Sequence, residues 1–223
     1  MKNKVIVVAV HPDDETLGCG GTILRHIKEG DEVYWLTITA ITEKVGYAKE
    51  VVEKRNQELE EVAEAYGFTK AIHLDFATTK LDEYTKTELI SSISKVLRDV
   101  KPNIIYLQHR GDAHSDHCDV FDAVYSCTKS FRYPFLKEVY AMETLSETEF
   151  AAPLVMNAFI PNNFVDISDY MERKLEIMAL YKSELGEHPF PRSVRNIKAL
   201  GTLRGAQAGV DSAEAFMCLK IIR

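Results

Sequence analysis

The feature that most constrains the fold is an unbroken apolar run, Val5–Val10, near the start of the chain. A strand buried on both faces lacks polar alternation, so this run predicts a central strand of a parallel sheet. Further apolar, β-branched runs follow, separated by segments with helical spacing, as is typical of helices covering both faces of such a sheet. The sequence therefore predicts an α/β fold, a Rossmann-like three-layer sandwich with a mostly parallel central sheet, with residues 1–223 as one domain.

The element boundaries follow from apolar periodicity and from Gly, Pro and capping residues. The predicted strands are 4–10, 32–39, 71–74, 104–108, 138–142 and a last one from 213, and the predicted helices are 20–29, 48–66, 87–100 and 168–182, with Ser168 as a cap. Glycines 18, 20 and 21 predict a tight turn before the first helix. Residues 183–205, rich in Gly, Pro and Arg, predict an irregular segment suited to covering a pocket.

Composition narrows the partners and the compartment. A formal net charge of -7 argues against a surface that neutralises nucleic-acid phosphates. The opening apolar run is too short for a signal peptide or a membrane span, and the four cysteines form no CxxC pair, so we expect a cytoplasmic protein with reduced thiols. The apolar stretch 150–164 fits either core or a subunit interface, which leaves a homo-oligomer open.

Two polar clusters directly follow predicted strands. Residues 11–15 read HPDDE after the first strand, and residues 114–117 read HSDH after the fourth. In parallel sheets ligands bind beyond the carboxyl ends of the strands, so both clusters are expected in one crevice. Imidazole and carboxylate ligands suit zinc, and a catalytic zinc typically has three protein ligands. One His-Pro-Asp turn alone would indicate only a helix cap, but two such clusters favour a site for one divalent ion, zinc or a competing metal.

Four segments in order along the chain carry a family resemblance. They are HPDDETLGCGG at 11–21, RNQE at 55–58, HSDH at 114–117 and RGAQAGVDSAEAF at 204–216. Together they resemble the LmbE-like and PIG-L zinc-dependent N-deacetylases. The resemblance implies a hydrolase that removes an acetyl group from an N-acetylglucosaminyl conjugate or another amino sugar.

The same resemblance implies a role for each matching residue. The zinc ligands would be His11, Asp14 and His117, and Asp13 would be the general base that takes a proton from the attacking water. The implied stabiliser of the tetrahedral oxyanion is His114, kept protonated and oriented by Asp116. His114 would later protonate the leaving amine.

The substrate-binding residues are predicted on weaker signals. Arg55 lies on the apolar stripe of its helix, where it either pairs with Glu58 or reaches a substrate oxygen. Thr78 stands where many sugar-deacetylating relatives carry an acidic residue, and His188 falls in the segment expected to cover the pocket.

Several nearby residues have simple structural interpretations. Taken singly, Arg192, Arg195 and Arg204 indicate solvated surface charges. Glu15 fits a helix dipole, and Glu214 fits an alternating terminal strand.

Other functions compete with sugar deacetylation. One is a zinc hydrolase of a small non-sugar amide, and another is a metal- or carbohydrate-binding protein without turnover. The presence of Asp13 argues against a binding protein without turnover, because such a protein needs no second carboxylate beside Asp14. Dinucleotide binding is disfavoured because Ile23 stands where GxGxxG needs glycine.

Overall fold

The structure, a computed structural model, describes residues 2–223. The strands are β1 (Lys4–Ala9), β2 (Glu32–Ala40), β3 (Lys70–Ala77), β4 (Ile104–Gln108), β5 (Glu138–Met142), β6 (Asn163–Asp166) and β7 (Ala213–Ile221). The helices are α1 (Asp14–Glu29), α2 (Lys49–Tyr66), α3 (Lys86–Val100), α4 (Ser115–Ser126), α5 (Met171–Met178) and α6 (Val194–Ala208). None of the helices in this described part is long and apolar enough to cross a membrane.

The strands form one sheet in the order β3-β2-β1-β4-β5-β7-β6. Strands β1 to β5 all run parallel to one another. Strand β7 lies between β5 and β6 and runs antiparallel to both. The predicted α/β fold with a mostly parallel sheet is confirmed. Because β1 pairs with both β2 and β4, the chain changes direction beside β1, and a crevice opens beyond the carboxyl ends of β1 and β4.

The apolar run of β1 supplies both faces of the core. Val5, Val7 and Ala9 pack into one buried cluster, and the alternate residues Ile6 and Val8 pack into the other. Every residue of the run Val5–Val10 is fully buried. Period-two alternation places successive side chains on opposite faces, so a strand covered on both sides has no polar position.

Helix α1 starts at Asp14, six residues earlier than predicted from the glycines. Those glycines therefore do not form a turn before the helix; they lie within it. A Cβ built on Gly18 would lie 2.6 Å from Met142 Sδ, and one on Gly21 would lie 2.6 Å from Ile167 Cγ2. The glycines let α1 approach the sheet and its neighbours closely, and this packing has no local sequence signal.

The backbone of α1 leaves helical geometry at Cys19, where φ is −147° and ψ is 25°. Two buried charges compensate the break. Glu214 accepts hydrogen bonds from the backbone N–H of Gly21 at 2.9 Å and of Thr22 at 2.7 Å. Lys174 Nζ donates to the Leu17 carbonyl at 2.9 Å and to Glu214 Oε1 at 2.7 Å. Because an intact helix would join the Gly21 N–H to the Leu17 carbonyl, this ion pair replaces the lost bond from both sides.

The second half of the chain departs most from the predicted elements. Residues 194–208, expected to be irregular, form α6, whose cap is the Ser193 hydroxyl accepting from the Asn196 N–H at 3.3 Å. A glycine in this helix allows close packing, since a Cβ on Gly205 would lie 2.7 Å from the Asp211 carbonyl oxygen. Helix α4 and strand β6 were not predicted.

The helix predicted at 168–182 is shorter than expected, because α5 spans Met171–Met178 with Tyr170 at its N-cap position. Ser168 is therefore not its cap, and its hydroxyl donates to Asp166 at 2.6 Å instead.

The apolar stretch 150–164 lies largely at the surface. Val155 is 94% exposed and Met156 is 83% exposed, so these side chains are not core. A homo-oligomer built on this stretch stays a prediction.

Candidate metal centre and active site

Both predicted clusters reach the same edge of the sheet. His11 follows β1, Asp14 begins α1, and His117 lies in the first turn of α4 after β4. Because β1 and β4 are parallel neighbours, their following loops meet. His117 Nε2 lies 3.3 Å from Asp14 Oδ2, and His11 Nδ1 lies 3.9 Å from the same oxygen. One ligand atom from each of these residues lies within 4.8 Å of the other two.

This trio fits a divalent cation. The His117 side chain is completely buried, and its Nε2 lies 3.3 Å from Asp14 Oδ2 but has no hydrogen-bond partner among residues 2–223. A buried imidazole nitrogen without a hydrogen bond is costly unless something else occupies its lone pair. Two imidazoles and one carboxylate are a donor set that zinc accepts, with a further position left for water. The residues present therefore match the metal that the sequence predicted.

A second grouping of His11, His114 and Asp116 meets the same distance limit. In that grouping Asp116 Oδ2 already accepts the Thr79 N–H at 2.9 Å and contacts His11 Nε2 at 3.1 Å. This oxygen is satisfied by protein donors, whereas His117 Nε2 is not. The first trio is therefore the better metal site.

Each histidine of the first trio has a carboxylate behind it. His117 Nδ1 lies 2.8 Å from Asp112 Oδ2, and His11 Nε2 lies 3.1 Å from Asp116 Oδ2. Asp112 is further held by Thr148, whose hydroxyl donates to Oδ1 at 2.7 Å. Metal-binding histidines usually donate their other N–H to such a carboxylate, which fixes the ring and its tautomer.

The role of Asp112 was not predicted from the sequence, which indicated only that the residue belongs to a polar loop. A carboxylate five residues before a candidate ligand, in the same loop, was the available signal.

Replacing Asp112 with asparagine is expected to weaken zinc binding by about 10- to 100-fold, because the ring of His117 loses a charged acceptor. Competition against a chelator of known zinc affinity measures the change. Asp119→Asn is the matched control, since that carboxylate lies on α4 with its side chain 32% exposed. Equal zinc affinity in the Asp112 variant and the control would contradict this role.

Asp13 lies beside the trio without belonging to it. Its backbone φ of 131° is in a region that favours glycine, and such strain is kept only where the surroundings hold it. The Asp13 N–H donates to Glu15 Oε2 at 3.2 Å. Glu15 is fully buried and also accepts from the Tyr181 hydroxyl at 2.8 Å. Glu15 therefore anchors the strained residue, a role beyond complementing a helix dipole.

The neighbouring carboxylates have opposite pKa shifts. Burial, followed by repulsion from Asp14 and Glu184, raises the pKa of Asp13 well above its usual value. Burial alone would raise the pKa of Asp14, but attraction to His117 and His11 outweighs it and lowers that pKa to about 2. Opposed shifts in adjacent carboxylates are typical of groups with different chemical tasks.

The predicted relation between His114 and Asp116 is wrong in its geometry. His114 Nδ1 accepts the backbone N–H of Asp116 at 3.1 Å, while the Asp116 carboxylate contacts His11. Burial and then repulsion from His11 lower the pKa of His114, which is opposite to the direction expected of a residue kept protonated. With Nδ1 accepting, the ring proton lies on Nε2. The sequence could not show this, because the carboxylate and the backbone of one residue serve different partners.

A pocket of about 410 Å³ opens over these side chains. Of the predicted substrate-binding residues, Arg55 and Thr78 line it. Arg55 Nε also lies 3.5 Å from Glu58, so the intrahelical pair and the inward orientation coexist. His188 is exposed, as are residues 187–190 around it, and it is not among the residues that line the pocket.

The three remaining arginines have different environments. Arg195 is exposed, as expected of a surface charge. The interpretation of Arg192 and Arg204 as solvated surface charges was wrong. Arg192 lines the pocket, and Arg204 Nε donates to Glu143 at 2.8 Å. Their partners come from distant segments that local sequence does not reveal.

Comparison with known proteins places this site in context. The diacetylchitobiose deacetylase of Thermococcus kodakarensis is 27% identical over 218 residues, which cover 95% of this chain and 81% of that protein. A probable N-acetyl-alpha-D-glucosaminyl L-malate deacetylase 2 of Bacillus anthracis is 24% identical, over 82% of this chain and 83% of the relative.

Among solved structures, the N,N'-diacetylchitobiose deacetylase from Pyrococcus horikoshii shares the fold, with a TM-score of 0.76 and 23% identity over 98% of this chain and 84% of that one. The family model described as PIG-L, GlcNAc-PI de-N-acetylase, matches residues 6–128, which include every residue of the metal trio and Asp13. The chain therefore belongs to the PIG-L family.

Proposed function

We propose that this protein is a metal-dependent hydrolase that removes the N-acetyl group from an N-acetylglucosaminyl conjugate or a related amino sugar. The observation that carries the proposal is the meeting of His11, Asp14 and His117 at one point, with Asp13 adjacent to Asp14 in the chain and lining the same pocket. Relatives named as deacetylases of amino-sugar conjugates support the substrate class. The protein is expected to act as one deacetylase domain over residues 1–223.

Zinc, one ion per chain, is the metal that this donor set favours. When bound, the ion supplies positive charge that promotes ionisation of a water and polarises the amide carbonyl. His117 would bind it through Nε2 in neutral form, with its Nδ1–H donated to Asp112 Oδ2 at 2.8 Å.

Asp13 is the group placed to accept the proton of the attacking water, because it lies beside the metal trio without being needed as a ligand. The C–N bond then breaks, acetate leaves, and the proton taken by Asp13 passes to the departing nitrogen, which yields a free amine. The anchoring of its backbone by Glu15 keeps the carboxyl in one orientation.

His114 is proposed to donate a hydrogen bond from its Nε2–H to the oxyanion that forms when water adds to the acyl carbon. A neutral imidazole suffices for this hydrogen bond, since its Nδ1 is held by the Asp116 N–H. Asp116 is proposed to act through its carboxylate on His11 and through its backbone N–H on His114, so it is a positioning residue. Thr78, on the pocket wall, is the proposed contact for a sugar oxygen, whereas the Arg55 guanidinium on the same wall already donates to Glu184. A cytoplasmic location stays a prediction.

Acetate release from the methyl glycoside of N-acetylglucosamine tests the proposal. The zinc-loaded protein is expected to release acetate, chelation to lower the rate at least about 100-fold, and added zinc to restore it. N-acetylated amino acids serve as matched non-sugar amides. Turnover confined to those amides would favour the non-sugar hydrolase, and zinc binding without acetate release from any substrate would favour the binding protein.

A further inference from the structure

The pocket contains two arginines from distant parts of the chain. Arg55 comes from α2, and Arg192 comes from the segment before α6. An arginine in a ligand pocket is often a receptor for a carboxylate or phosphate, because its planar donors match two oxygens. Whether these two can serve that purpose depends on what already occupies their donors.

Glu184 occupies both guanidinium groups. One of its carboxylate oxygens accepts from Arg55 Nη2, and the other accepts from Arg192 Nη2 at 3.1 Å. Arg192 Nε donates to the backbone carbonyl of the same glutamate at 3.0 Å. All three side chains are largely buried, with 15% to 22% of their surfaces exposed. A single carboxylate thus lies between the two cations, and Glu58, whose Oε2 lies 3.5 Å from Arg55 Nε, supplies a second negative charge.

The other terminal nitrogen of each arginine also has a protein acceptor. Arg55 Nη1 donates to the Pro12 carbonyl at 3.4 Å, and Arg192 Nη1 donates to the Ser146 hydroxyl at 2.8 Å. An anionic substrate group would have to displace Glu184 from two charge-assisted hydrogen bonds. It would also approach Asp13, whose Oδ2 lies 3.8 Å from Arg192 Nε.

An apolar wall forms another part of the pocket. Ile41, Tyr47 and Val51 line it, and Tyr47 and Val51 are 38% and 47% exposed. Exposed aromatic and aliphatic side chains at a pocket gain from covering by an uncharged ring face, whereas an ionised group placed there loses hydration.

We infer that the pocket selects uncharged N-acylated glycosides over anionic conjugates, because Glu184 and Glu58 together match the charges of Arg55 and Arg192, and Glu184 bonds to both guanidinium groups. The inference rests on the proposed function and narrows its substrate class. Glu184 is a specificity-determining residue that acts by occupying the donors an anion would need.

A matched pair of substrates tests this inference. The 4-hydroxymethylphenyl and 4-carboxyphenyl glycosides of N-acetylglucosamine have similar size and differ by one charge. The zinc-loaded unmodified protein is expected to show a kcat/KM at least about 10-fold higher for the uncharged member. Glu184→Gln, which frees both guanidinium groups, is expected to reduce that ratio by about 10-fold.

The control is Glu147→Gln, which removes an equal charge from the pocket wall. No ion pair of Glu147 with either arginine occurs within residues 2–223, so its variant is expected to change the ratio much less than the Glu184 variant. An equal change in both variants would overturn the inference and indicate a general charge effect.

The unmodified protein provides a second test that depends on no variant. Acetate release with no preference, or with a preference for the carboxyphenyl glycoside, would overturn the inference and leave the proposed function intact. Acetate release from neither glycoside, nor from the methyl glycoside, would overturn the proposed function and the inference with it.

Discussion

Asp13→Asn is expected to lower kcat/KM for acetate release by at least about 100-fold while the zinc content per chain stays unchanged. Asparagine keeps the shape of the side chain but cannot accept a proton from water. Metal binding should persist because Asp13 lies outside the trio that faces the metal position. Acetate assays at saturating zinc, combined with metal analysis of the purified variant, measure the two quantities separately.

Asp14→Asn is the matched control, since it makes the same change at the adjacent residue. That variant is expected to lose zinc affinity itself, because Asp14 Oδ2 lies within 3.9 Å of nitrogens of both His11 and His117. Activity near that of the unmodified chain in Asp13→Asn would refute its role as a base. Loss of zinc from that variant would instead identify Asp13 as a ligand.

The second large effect is expected on stability. Glu214→Gln should lower the free energy of unfolding by about 3–5 kcal/mol, because it leaves the buried ammonium of Lys174 without a countercharge. Both side chains are only 5% exposed, so water cannot take the place of the carboxylate. Urea unfolding monitored by circular dichroism measures the change.

Two controls separate this effect from a general loss of charge. The double variant Lys174→Met/Glu214→Gln removes both charges and is expected to recover much of the lost stability. Glu172→Gln breaks the exposed pair with Lys198, where the side chains are 77% and 46% exposed, and should cost only about 0.2–1 kcal/mol. A cost for Glu214→Gln as small as that of Glu172→Gln would show that the buried pair does not hold the break in α1.

The two predictions concern opposite ends of one helix segment. Asp13 precedes α1, and Glu214 with Lys174 secures the same helix after its break at Cys19. Loss of the buried pair therefore threatens the placement of Asp14 as well as global stability. Zinc affinity of the Glu214 variant measured below its unfolding transition would report on that placement.

Local sequence was most informative where the pattern of apolar residues in a strand predicted how that strand is buried. The run Val5–Val10 predicted a strand buried on both faces, because no register of a half-exposed strand tolerates six apolar residues. The same reasoning located the two polar clusters at strand ends, and the pairing of β1 with β4 brought them together as predicted. The boundaries of α1 and α6 were misjudged because their glycines serve contacts with residues far along the chain.

The residue types and their positions after β1 and β4 were enough to predict a metal site, because parallel neighbouring strands must bring their following loops to one edge; the hydrolase was implied by the family resemblance. Tertiary structure alone decided the partners that come from far along the chain. Asp116 lies behind His11, and Glu184 pairs with Arg55, because a side chain takes such a partner from whichever distant segment packs beside it. Such pairings depend on three-dimensional proximity, which spacing along the chain does not encode.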